Sequence, residues 1–149
     1  MSEPILTVTD LNVTFPSEAG RVDAVTDLSY EVRRGEALAI VGESGSGKSV
    51  SSLAVMGLLP QTASISGHID FMGNDMFSMS DRQLSTLRGD KISMVFQDPL
   101  SALTPVYTIG DQVAEAIRLH HAGVSERAAA DRAVQLLEAV GIPEAPRRA

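Results

Sequence analysis

The eight residues Gly42-Glu43-Ser44-Gly45-Ser46-Gly47-Lys48-Ser49 satisfy the pattern G-x-x-x-x-G-K-[ST], a loop whose backbone amides wrap the phosphates of a nucleotide. On one side lies Ala37-Leu38-Ala39-Ile40-Val41, short, apolar and free of turn formers, which reads as a parallel strand covered on both faces. On the other side Val50 to Met56 runs without Gly or Pro and predicts a helix opening near Lys48. Strand, loop and helix in that order are the context the motif requires, and together they predict a site for ATP. Glycines at 42, 45 and 47 let the chain curl close to a polyanion with no Cβ in the way. The helix start adds partial positive charge, Lys48 can reach the β and γ phosphates, and the Ser49 hydroxyl suits the octahedral shell of a magnesium ion. The competing reading is a Gly/Ser-rich turn that happens to contain a lysine.

The chain of 149 residues is long enough for one domain with a sizeable core. Its net charge of −7 and the absence of any Lys or Arg block longer than a pair argue against nucleic acid as a partner. Arg33-Arg34 and Arg147-Arg148 read as solvated turn and tail residues. Cysteine is absent, which removes disulfides and thiolate metal sites. The opening Met1-Ser2-Glu3-Pro4 lacks the basic start of a secretion signal, and no apolar run approaches the ~20 residues that span a bilayer. His120 and His121 diverge on a helix and His68 lies in another segment, so no histidine metal site is expected.

Working outward, Leu6 to Phe15 and Val22 to Val32 predict an early hairpin around Pro16, Ser17 and Gly20. Ser64 to Phe71 predicts a strand followed by a turn at Gly73-Asn74-Asp75. Met72, Met76 and Met79 are expected to fill gaps against the sheet. Ser80 predicts the cap of a short helix that ends near Leu87, with Gly89 as its stop. Ile92 to Phe96 is apolar and β-prone. Beyond residue 99 the pattern turns helical: Ile109 to His121, then Ser125 to Val140, the latter with Val134, Leu137 and Val140 on one stripe.

Three stretches together resemble the first half of an ATP-binding cassette (ABC) transporter subunit: IVGESGSGKSV at 40–50, SMVFQDPLSALTPVYTIGDQV at 93–113, and the aromatic Phe15. The second is similar to the glutamine loop of the branch that imports dipeptides and oligopeptides, although Ala102-Leu103-Thr104-Pro105 departs from the commoner Ser-Leu-Asn-Pro. The resemblance implies an α/β P-loop NTPase core with an N-terminal antiparallel β region over 1–98 and the beginning of a helical subdomain over 99–149. Within it, Gln97 would contact magnesium or the attacking water at the coupling surface, where an amide can donate and accept. Phe15 would stack on adenine. The implied partners are membrane-spanning permease subunits, a second ATP-binding subunit and, indirectly, an extracytoplasmic solute-binding protein, which together place the chain at the cytoplasmic face of the membrane.

The resemblance also names parts that these residues do not contain: an LSGGQ-type signature, a strand ending in a magnesium-binding Asp, the Glu that activates water, and a switch His. Asp98 could stand in for the missing Asp, but Gln97 intervenes before it and Pro99 follows. The sequence therefore reads as a partial, incomplete cassette, expected to bind ATP more readily than it hydrolyses it. Without the missing strands, the runs at 37–41 and 92–96 should expose apolar edges. Other readings stay open: a cassette for a non-peptide solute, a small-molecule kinase or GTPase, or an inactive subunit occupying a permease. The chain contains no Asn-Lys-x-Asp, which weighs against the GTPase.

Overall fold

The computed structural model describes residues 3–97 and 103–148, with Arg148 as backbone alone. Asp98, Pro99 and Ala102, and so the 98/99 boundary, lie outside the described residues. The elements are β1 (Pro4–Ser17), β2 (Gly20–Arg33), α1 (Lys48–Val55), β3 (Ser64–Phe71), β4 (Asn74–Asp75), α2 (Asp81–Leu87), α3 (Ile109–His120), α4 (Glu126–Ala139) and α5 (Ala145–Arg148). They divide into two compact units, Met1–Ile92 and Ser93–Ala149.

The first unit is built on an antiparallel sheet of order β2-β1-β3-β4. The β1–β2 hairpin closes where Ser17 faces Gly20, and β3 pairs along the other edge of β1. Val8, Leu11 and Val13 of β1 all face the core, although the first two stand an odd three positions apart. A bulge makes this possible: the pairing register shifts between Val8 and Leu11, and Asp10 sits there at φ 50°. Without the extra residue Leu11 would point to solvent. Asn12 secures the distortion, its side-chain NH₂ donating to Asp10 O at 2.8 Å and its oxygen accepting from the Asp27 N–H at 3.0 Å. Ile69 and Phe71 of β3, Val25 of β2 and Met76 complete the sheet side of the core, and Ala54 and Val55 of α1 with Leu84 of α2 cover it.

Ser80 caps α2 as its sequence predicts, in a reciprocal box with Gln83. In the second unit α3 and α4 pack together, with Thr108 accepting from Asp111 N–H and Ser125 from Ala128 N–H at their starts. The Gln112 side chain pins the loop before α3: its oxygen accepts from Thr104 N–H at 2.8 Å, and its NH₂ donates to the carbonyls of Thr104 at 2.9 Å and Tyr107 at 3.2 Å.

Five expectations need correction. The run 37–41 is not a strand: it has no place in the sheet, and Leu38, Ile40 and Val41 are exposed, Val41 by 89%. Residues 92–96 are likewise not a strand; Ile92 makes a single bridge to Arg88, and Val95 and Phe96 are exposed. A parallel strand exists only beside another strand that shares its backbone hydrogen bonds, and among the described residues neither run lies beside one. In α4 the buried stripe is Ala129, Ala133 and Leu137; Val140 ends the helix as its C-cap and is exposed. Of the three methionines, Met76 is buried and Met79 packs on the core, whereas Met72 turns outward at φ 52°. The predicted turn at 73–75 is made by Met72 and Gly73, and Asn74–Asp75 forms β4.

Candidate functional site

The phosphate-loop residues come together at the start of α1. Ser46 N–H donates to Glu43 O at 3.2 Å, folding the loop back, and Gly47 stands at the N-cap of α1 with φ 87°. A Cβ on Gly47 would run into the backbone carbonyl of Ala24 on β2, so glycine is required both for the left-handed turn and for the close approach. Ser51 N–H then donates to Gly47 O at 2.8 Å as an early α1 hydrogen bond. No side chain caps α1, and its first turn holds no acidic residue. Its leading amides and partial positive charge are thus uncompensated by protein.

Lys48 folds its ammonium into the loop. Nζ donates to Gly42 O at 2.8 Å, Glu43 O at 2.6 Å and Ser46 Oγ at 3.2 Å. Behind it Ser51, fully buried, donates to Lys48 O at 2.8 Å and fixes the turn from which the lysine springs. A cavity of about 480 Å³ opens here, lined by Gly42, Gly45, Ser46, Gly47 and Lys48, by Ile40, Val41 and Ser51, and by Asp23 to Thr26 and Leu28 of β2.

Not every predicted residue reaches that cavity. Glu43 and Ser44 belong to the loop but not to the lining, and Ser49, exposed on the first turn of α1, also lies outside it. Phe15 is half-buried, paired across the hairpin with Val22 and packed against the core. Gln97 belongs to the second unit, exposed at a bend. The β2 wall and Ser51 escaped the sequence reading, because only the folded hairpin brings β2 against the loop. Among the described residues no group of three or more His, Asp or Glu could hold a metal, and no helix is long and apolar enough to cross a membrane.

The family profile described as ABC transporter matches residues 25–149. The chain belongs to the ABC transporter family. Over 145 residues it is 52% identical to the oligopeptide transport ATP-binding protein OppD of Mycobacterium tuberculosis, a match that covers 97% of this chain and 24% of that one. It is 46% identical over 144 residues to OppD of Salmonella typhimurium and 43% identical over 147 residues to OppD of Escherichia coli, in each case spanning 43% of the relative. The chain therefore spans less than half the length of these curated relatives. Among solved structures, the ATP-binding cassette MJ0796, in a post-hydrolysis dimer bound to ADP and Pi, superposes with a TM-score of 0.82 at 24% identity, over 97% of this chain and 60% of that one. The fold is that of an ABC cassette, and these 149 residues are homologous to the ATP-binding subunits of peptide importers.

Proposed function

We propose that this chain binds Mg–ATP through Gly42 to Ser49 and forms the phosphate-binding part of an ATPase that energises peptide import. The observation that carries the reading is the placement of Lys48: an ammonium held inside a glycine loop, at the uncapped and acid-free start of α1, beside a cavity. A polyanion entering there meets a cation, free amides and a helix dipole of one sign. Ser49 offers magnesium a hard oxygen on the same turn, and the ion would neutralise phosphate charge. Homology to OppD proteins supports peptides as the cargo of the transporter.

In the assembled transporter Gln97 contacts magnesium or the attacking water, and Phe15 stacks on adenine. The junction of the nucleotide core with the helical subdomain lies at 98/99. Hydrolysis and transport belong to the complex with permease subunits and a second ATP-binding subunit, at the cytoplasmic face of the membrane, with a solute-binding protein delivering peptide from outside. Titration with a fluorescent ATP analogue and magnesium tests the reading. Lys48→Ala should abolish saturable binding, and unchanged affinity would refute the assignment. In the same titration Phe15→Ala should weaken ATP but not tripolyphosphate, and equal loss for both would remove its stacking role. Gln97→Ala in the intact transporter should keep ATP binding and lose turnover; undiminished turnover would remove Gln97 from the site.

A further inference from the structure

The helix that carries the phosphate loop is held at its far end by a residue from elsewhere in the chain. Eight residues are too few for α1 to keep its shape alone, and its last turn contains no basic side chain. Gly57, at φ 63°, closes it: Leu58 N–H donates to Leu53 O at 2.9 Å and Gly57 N–H to Ala54 O at 3.0 Å. The carbonyls of Met56, the C-cap of α1, and of Gly57 are taken by Arg88, the C-cap of α2. Nε donates to Met56 O at 2.8 Å and Nη2 to Gly57 O at 2.7 Å, while Nη1 donates to Asp81 Oδ1 at 3.0 Å. A Cβ at position 57 would stand 2.9 Å from Nη2 and from Leu84 Cδ1, so the glycine also makes room for the guanidinium. A cation is thereby set at the negative end of the phosphate helix from 31 and 32 residues away in sequence.

We propose that Arg88 is a positioning residue for the phosphate site: its planar fork fixes the far end of α1 against α2, so that the near end presents Lys48 and the leading amides in one direction. The proposal rests on the nucleotide reading above. An α1 released from Arg88 would have to be ordered by the ligand itself, which lowers affinity. Lysine is a poor substitute, since a point charge does not span both carbonyls as a guanidinium does.

The test compares the whole chain with Arg88→Ala, Arg88→Lys and Lys48→Ala, by titration with a fluorescent ATP analogue plus magnesium and by hydrogen exchange without nucleotide. Losing two charge-assisted bonds should weaken binding about tenfold in Arg88→Ala, with Arg88→Lys between it and the parent. Guanidinium ion at low millimolar concentration should restore Arg88→Ala but not Lys48→Ala. Exchange at Ser51 and Ser52 should quicken in Arg88→Ala while β1 and β3 keep their protection. Affinity of Arg88→Ala within about twofold of the parent, absence of rescue, or exchange that quickens equally throughout the unit would each overturn the proposal. Should Arg88→Ala fail to fold, Arg88→Lys decides, and parent-like affinity overturns the role. A parent chain that binds no nucleotide sinks the phosphate-site reading and the positioning role together, whereas a parent that binds beside an equally competent variant sinks the role alone.

Discussion

Replacing Gly47 by alanine should damage this chain more than the same change at Gly45, and the difference measures how firmly the phosphate loop is seated on β2. Both glycines are left-handed, at φ 87° and 83°, so each alanine carries a backbone penalty of about 1–2 kcal/mol. At Gly45 the added methyl meets nothing within 4 Å, and that penalty is the whole cost. At Gly47 it overlaps the Ala24 carbonyl and stands 3.2 Å from Val25 Cγ2, so backbone must move. Forced overpacking of this kind adds about 1–3 kcal/mol. Gly47→Ala should therefore lose about 2–5 kcal/mol, a large share of the ~5–15 kcal/mol that stabilises a typical domain. In urea unfolding followed by far-ultraviolet circular dichroism, with m of about 2 kcal/mol per molar, the two midpoints should differ by roughly 1 M. Coincident midpoints at unchanged m would show that the loop does not lean on β2, and the account of the cavity wall would fail with it.

Two further outcomes follow from burial. Partial burial of Tyr30 favours the neutral phenol and raises its pKa above the ordinary 10.0; the unfolded chain ionises near that ordinary value. Stability is thus fully present below pH 10.0 and declines as pH rises beyond it, and Tyr30→Phe should remove that part of the decline in alkaline urea titrations. A Tyr30→Phe profile parallel to the parent's would contradict this. The bare run at Leu38, Ile40 and Val41 should drive concentration-dependent association. Val41→Glu should reduce it in size-exclusion chromatography with light scattering, whereas identical profiles would show that the run is not the adhesive surface.

What could be read from sequence was what local chemistry decides. The cap at Ser80, the start of α4 at Ser125 and the hairpin around Gly20 depend on a few neighbouring residues, and each stands where its residue types place it. The phosphate loop is legible for the same reason, since its glycines and lysine are contiguous. The run 37–41 is apolar enough for a strand, but an apolar run becomes one only through pairing, which is non-local. Val140 falls outside the buried stripe because a stripe drawn on an ideal helix takes no account of where the helix ends. Asp23 to Thr26, Leu28 and Arg88 carry no such signal: nothing in their immediate sequence says that β2 walls the cavity or that a guanidinium 31 residues beyond Gly57 holds the end of α1.

The Gln112 amide has an implication for how accessible a surface can be without being loose. Val106 and Tyr107 are 79% and 65% exposed, and an aromatic on an open loop is an inviting target for a chymotrypsin-like protease. Cleavage requires the peptide to straighten into the protease cleft, and the side chain that grips Thr104 and Tyr107 resists that extension. Nicking there should consequently lag behind what solvent accessibility alone would suggest.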